Sequence, residues 1–391
     1  MQRILALGLS MSLFISLLQA QLPNRTYGEW QVYLNHSRTI SSVVKNGVIY
    51  TITSGGMFSY DPDSENIRTF STIDGMSGIS PTTIYHFERT GQTFVGYADG
   101  QIDVFSDPNQ FSYLTDIARN TSFVDKRINT FLAGGNRLYV GTNFGLVIYN
   151  LETGLPITDA SQIGTNTSRI PVESIAIYQE RIYLVLEGVG IYSAPVDFPN
   201  LKDPAAWEFE GGETGLPESE EIREIGAGVG SLFALTARTV YQKVDDNWSV
   251  FSRLDRTWDH LYVTEETVGA SRRDRVSIIN EENINYTFFF TGAARHVSVE
   301  GKTRFYVTTQ FRGLLEFDEW ALDYIIPPGP RSNDATRLAV GAGEVYVAPK
   351  GYNQLFNPDQ NATGIFHLNT QSGFWTILDT VNDRLSARCA A

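Results

Sequence analysis

A hairpin-sized pattern that recurs along the chain limits its fold more than any other feature. Residues 137–150 read Arg-Leu-Tyr-Val-Gly-Thr-Asn-Phe-Gly-Leu-Val-Ile-Tyr-Asn, two β-prone apolar runs around a turn from Asn143 to Gly145. The same pattern returns at residues 47–61, 93–105 and 181–192. From Tyr50 to Phe94, Tyr139 and Tyr183 the step is about 44 residues, a period that belongs to stacked blades or solenoid turns. With looser spacing the register reappears at Leu232, Phe305 and Val345, with a weaker copy near Val268. About eight units are therefore expected, the fifth to seventh being the least regular.

On length alone, 391 residues would make two or three domains, but a propeller grows by one four-stranded sheet per repeat around a shared axis. The fold class expected is all-β: a β-propeller of about seven blades over residues 21–335, followed by the first blade of a second, truncated propeller over residues 336–391. The boundary is placed by Pro327-Pro328-Gly329-Pro330, which cannot be a central strand. After Asp379 the sequence follows no repeat register, hence the expectation that the second propeller is cut short. Trp30 to Leu34 alternates apolar and polar residues, and residues 29–35 are expected to form a lone strand that completes the last blade and removes its free edge.

Residues 1–20 have the layout of a secretory signal peptide: Arg3, an apolar run from Ile4 to Leu18, and Ala20 at the expected cleavage point. That run is too short for a convincing membrane span, and no later stretch is apolar enough to be one. Cys389 is the single cysteine, so no internal disulfide can form. The formal net charge of −14 argues against a broad affinity for nucleic acid or anionic membranes, because the summed field repels phosphate. Arg272-Arg273-Asp274-Arg275 reads as an exposed loop of solvated arginines, with a local anion site as the functional alternative. The Asn-x-Ser/Thr triplets at Asn24, Asn35, Asn120, Asn166, Asn247, Asn285 and Asn361 read as loop residues of a β protein rather than as modified sites.

No catalytic, cofactor-binding or metal-binding set emerges. His36, His86, His260, His296 and His367 fall in different units without metal-ligand spacing. Asp61, Asp63, Glu65 and Asp107 lie in hairpin turns, where an aspartate caps its own backbone more readily than it binds calcium. Gly-x-Ser-x-Gly and phosphate-binding glycine loops are absent. Tyr50, Tyr60, Tyr139, Tyr149, Tyr183 and Tyr192 sit at repeat-equivalent places and read as inter-blade core. The expectation is a protein that is not an enzyme and carries no cofactor, with its ligand-binding residues unknown.

The repeat of strand, Gly-rich turn, Gly-Leu/Met/Ile, Tyr-Asn/Asp and Asp-Gly-Met/Leu-Ser is carried by Val140-Gly141-Thr142, Gly145-Leu146, Tyr149-Asn150 and Asp74-Gly75-Met76-Ser77. It resembles the regulator-propeller repeat of sensor ectodomains in Bacteroidota. Gly28-Glu29-Trp30 behind the signal peptide, Gly96-Tyr97-Ala98-Asp99-Gly100-Gln101-Ile102-Asp103 and the eighth unit around residues 344–352 and 364–366 resemble, more narrowly, the PorZ family of the type IX secretion system. The resemblance implies two propellers and a C-terminal β-sandwich, of which this chain holds the first propeller and the start of the second. It also implies a non-enzymatic subunit of a cell-surface attachment complex with PorU-, PorV- and PorQ-like partners. That complex transfers secreted cargo onto anionic lipopolysaccharide, whose glycan the PorZ-like member binds. The implied location is the periplasm or the cell surface at the outer membrane. No ligand residue carries over from the resemblance, and the acidic balance of this chain does not favour an anionic-glycan site within it. Two rivals follow from the same residues: a periplasmic glycan-sensing propeller ectodomain of a two-component regulator, and a propeller lyase or glycosidase with carboxylates or histidines converging at its mouth.

Overall fold

The computed structural model describes residues 30–378, except 167, 218, 280–285, 290–293, 301–303, 319–320 and 351–363. The expected signal peptide, residues 1–20, and residues 379–391 lie outside the described residues. The described residues form eight four-stranded antiparallel sheets, each made of strands consecutive in sequence. The chain divides between Pro327 and Pro328 into one compact unit of residues 36–327 and another of residues 1–35 and 328–391.

The first unit is a β-propeller with seven blades, at residues 39–70, 81–114, 128–160, 172–210, 224–253, 260–289 and 294–325. Within each sheet the first strand in sequence borders the first strand of the next blade, and Ala294–Glu300 of blade 7 borders Thr39–Lys45 of blade 1, closing the ring. Why the middle strands are so apolar then becomes clear. Arg137–Thr142 and Gly145–Asn150 are buried at nearly every position, because neighbouring blades cover both faces of each sheet. Among the described residues, seven hydrophobic clusters occupy the seven blade interfaces, from Tyr50, Ile52 and Phe105 between blades 1 and 2 to Ile49, Tyr306 and Ile325 between blades 7 and 1. The six repeat-equivalent tyrosines all lie in these clusters. They are core.

The hairpin that announces the repeat pairs Arg137 with Asn150 through to Thr142 with Gly145. A threonine locks its turn: the Thr142 hydroxyl donates to the Gly145 carbonyl at 2.9 Å and accepts from the Phe144 amide at 3.2 Å. Thr53 and Thr309 do the same in blades 1 and 7. Gly145 takes φ +131°, and a Cβ there would lie 2.2 Å from the Ala160 carbonyl oxygen, so both backbone conformation and space require glycine. The Asp-Gly-Met-Ser turn is a short 3-10 helix, Thr72–Asp74, ended by left-handed Gly75, and its echo is Gly212–Thr214 ended by Gly215. Met76 and Leu216, one residue on, bury their side chains between blades. The Ser77 amide donates to Asp103 at 2.9 Å and the Tyr97 hydroxyl to the same carboxylate at 2.6 Å. The motif residues thus tie the link after blade 1 to blade 2. Burial raises the Asp103 pKa against these three donors, the Ser77 hydroxyl being the third.

The closing strand expected from residues 29–35 is not formed. Residues 30–35 carry no strand, and the alternation of Trp30 to Leu34 serves a different unit. Asn35 accepts no place in the ring; its amide donates to Asn333 at 2.6 Å, and Tyr33 packs edge-on against Trp375 at 5.3 Å. The ring closes instead through the buried Thr39. Its hydroxyl faces the Thr309 and Gly313 carbonyls at 3.0 and 2.9 Å and accepts from the Thr309 amide at 2.6 Å. Beside it the Gly313 amide donates to Ser37 and Thr308 to Ile40.

In the other unit, the eighth sheet runs over residues 335–378 in the same strand order. Its first strand, Ala335–Gly341, is exposed along its whole length. His367 lies between Thr376 and Glu344 and stacks on Tyr346.

Candidate functional site

A cavity of about 880 Å³ sits among the first strands of blades 1 to 6, with Arg273 from a turn of blade 6 and Gln310 and Phe311 from a turn of blade 7 at its edge. The local cause is a repeated irregularity. The pairing of the first strand with the second slips at Ile40, Thr82, Asn129 and Glu173. Such bulges re-aim a side chain out of the alternation, and here all four residues line the cavity.

Most polar atoms at this surface are engaged in stitching blade to blade. Thr82 donates to the Ile128 carbonyl at 2.6 Å, Asn129 to the Val172 carbonyl at 3.3 Å, and Ser174 to the Ile225 carbonyl at 3.0 Å. Glu224 accepts from the Leu261 amide at 2.5 Å and meets His260 Nδ1 at 2.8 Å. Arg223 donates to the Trp258 carbonyl at 2.7 Å and to Asp259 at 3.1 Å. Glu173 is different: exposed to the cavity, its carboxyl is pushed above the usual range, first by desolvation and then by the Glu187 carboxylate. Of the three carboxylates in the lining, Asp259 is paired with Arg223, which leaves Glu173 and Glu224 with one further permanent cation, Arg273. Chemically the cavity suits a neutral or cationic polar guest and disfavours an anion.

The residues singled out in the sequence are scattered over the fold. His36 bonds Thr53, His86 bonds Thr93, His260 reaches the cavity wall, and His367 sits in the eighth sheet; the side chain of His296 lies outside the described residues. No group of three metal-ligating side chains forms among the described residues. Asp61 caps Asp63 and Ser64, and Asp107 caps Asn109, as turn residues do. The arginine run is no loose loop. It is a tight hairpin pairing Arg272 with Arg275, with Asp274 between them at 3.3 and 2.9 Å, and Arg275 is buried. Sequence reasoning passed over Glu173, Glu224 and Asp259, although aligning the units on the residue just before each apolar first strand would have shown polar side chains at equivalent places.

His36 carries a pH signature. Burial lowers its pKa from 6.5 to about 4, so below pH 6.5 the unfolded chain takes up a proton that the folded one refuses. Stability contributed by the neutral ring is complete above pH 6.5 and is lost as pH falls towards 4, by about 3 kcal/mol at the bottom of that window. Unfolding titrations of the native chain and of His36→Phe should show a shallower acid limb in the variant. Parallel curves would contradict the assignment.

Among the described residues no helix is long and apolar enough to cross a membrane, which says nothing about strands. Residues 49–208, from the second strand of blade 1 into blade 4, match the family described as the TSS9, PorZ, N-terminal beta-propeller domain. No curated protein matches the sequence. Among solved structures, PorZ of the type IX secretion system of Porphyromonas gingivalis is similar at 20% identity and a TM-score of 0.75. That alignment covers 92% of this chain and 48% of PorZ, so the chain spans about half the length of that relative. The computationally designed Ika8 protein matches at 12% identity and a TM-score of 0.51, over 90% of this chain and all of that one. The extracellular domain of the putative one-component system BT4673 from B. thetaiotaomicron reaches 12% identity and a TM-score of 0.42, over 92% of this chain and 56% of its own, too low to bear on function. Residues 49–208 are therefore similar to the PorZ N-terminal β-propeller domain, and the fold resembles that of PorZ over nearly the whole chain.

Proposed function

We propose that this propeller is a non-enzymatic subunit of the type IX secretion attachment complex, exported and held at the outer membrane by partners like PorU, PorV and PorQ. There it helps transfer secreted cargo onto anionic lipopolysaccharide. The observation that carries this reading is the family match over residues 49–208. Two structural features support a scaffold role. The ring polar groups bond neighbouring blades, and Glu224, the best-placed carboxylate beside a histidine, is engaged at both oxygens. Residues 336–391 are read as the opening blade of a second propeller, since the exposed first strand of that sheet is of the kind that a following blade would cover. The carboxylates around the cavity give no support to an anionic-glycan site within the first propeller. An affinity-tagged chain purified from outer membranes after mild crosslinking should bring down the PorU-, PorV- and PorQ-like proteins together. Recovery of the tagged chain without any of the three would overturn the assignment.

A further inference from the structure

Three of the two-residue turns that join a first strand to a second share one conformation. Asn46-Gly47 links Lys45 to Val48 with φ +52° and +77°. Val229-Gly230 in blade 5 takes φ +50° and +69°, and Ala342-Gly343 in the eighth sheet +50° and +83°. All three place glycine second, where a positive φ costs it nothing. Valine and alanine hold the place of Asn46 in the other two, so the turn does not depend on an amide there.

Asn46 is the one asparagine of the sequence that precedes a glycine. It is exposed, and its side chain has no hydrogen-bond partner among the described residues. The Gly47 amide lies at the apex of the turn, outside the strand pairing that ends at Lys45 and Val48, and no side chain of its own shields the nitrogen. The two Asp-Gly pairs of the sequence are held differently. The Asp74 carboxylate accepts from the Ser71 amide at 2.8 Å and hydroxyl at 2.9 Å, and that of Asp99 from the Gln101 amide at 3.1 Å and side chain at 3.0 Å. A bonded carboxylate is also a poorer electrophile than a free carboxamide.

We propose that Asn46 is a site of spontaneous deamidation in the folded chain. The Gly47 nitrogen, its proton taken by hydroxide, bonds to Asn46 Cγ; the Cγ–Nδ2 bond breaks, and the nitrogen leaves as ammonia with a proton from water. Water then opens the resulting succinimide at either carbonyl, leaving aspartate or isoaspartate at position 46. Water is the only co-reactant, and nothing is oxidised or reduced. Isoaspartate carries the main chain through its own methylene, so the lengthened turn cannot keep the pairing of Lys45 with Val48. Lys45 is buried, and its ammonium donates to the Gly91 and Ser106 carbonyls of blade 2 at 3.0 and 2.5 Å. The modification therefore acts where blade 1 is tied to blade 2.

The test is incubation of the whole chain at neutral and mildly alkaline pH, with digests followed by mass spectrometry and isoaspartate read by enzymatic methylation. Asn46 should convert at least about tenfold faster than any other asparagine, a barrier difference of about 1.4 kcal/mol. The rate should rise in proportion to hydroxide, ammonia should be released, and both aspartate and isoaspartate should form. Amide exchange at residues 45–48 should then be faster in the aged chain than in the fresh one. Asn46→Ala copies the turn of the eighth sheet; it should fold like the native chain and show neither change after the same incubation, which separates this reaction from general ageing. Conversion in the unfolded chain but not in the folded one, no preference for Asn46 over other asparagines, aspartate without isoaspartate, or unchanged exchange at residues 45–48 in converted chains would each overturn the proposal.

Discussion

Lys243→Met is expected to destabilise the propeller by about 3–5 kcal/mol, the usual cost of stranding one partner of a buried ion pair. Lys243 Nζ lies 2.5 Å from Glu210 Oε2, and the side chains are 5% and 8% exposed. Ser193 and the Trp248 indole also donate to Glu210, and the ammonium lies over the Tyr183 and Trp248 rings. Methionine keeps most of the volume, so the loss is electrostatic: a carboxylate remains between blades 4 and 5 with two neutral donors. Adding Glu210→Gln removes that charge and should recover more than half of the loss. Urea unfolding of the four proteins of the cycle measures the coupling. If Lys243→Met stayed within about 1 kcal/mol of the native chain, the pair would be solvated in solution, contrary to its geometry.

Thr39→Val should cost about 2 kcal/mol, since the isosteric change takes the shorter of two acceptors from the buried Thr309 amide, leaving it the Gly313 carbonyl at 3.2 Å, and withdraws a donor from the facing carbonyls at the seam of the ring. The location matters more than the amount. Amide exchange should accelerate first in residues 39–45 and 304–309, where blade 1 meets blade 7, while blades 3 and 4 keep their protection. Thr82→Val is the control. It removes a hydroxyl that donates to the Gly96 and Ile128 carbonyls at a seam already joined by the chain, so about 1 kcal/mol and no seam-specific exchange are expected. Equal effects of the two substitutions would mean that Thr39 does not close the ring.

The parts of this fold that could be read in advance are those where burial writes a period. Strands covered on both faces, such as Arg137–Thr142 and Gly145–Asn150, must be apolar throughout and are followed by glycines that alone tolerate the turn. That is why blades 1 to 4 stood out. The cavity was hidden because its residues occupy bulges, where alternation breaks, and because Ile40, Thr82, Asn129 and Glu173 share a place but no chemistry. The closure was misread for a related reason. Alternation in Trp30 to Leu34 indicates one apolar face without naming the surface that covers it, and the polar ties of the seam, Thr39 among them, are marked by no periodicity. The arginine run misled because charge in sequence says nothing of the Asp274 carboxylate folded between Arg272 and Arg275.

Deleting the gene in its native host and following secreted cargo tests the central claim most directly. The account predicts that cargo reaches the medium or accumulates unprocessed, without attachment to surface lipopolysaccharide, and that the full-length protein restores both processing and attachment. Cargo that is fully processed and surface-bound in the deletion strain would contradict it.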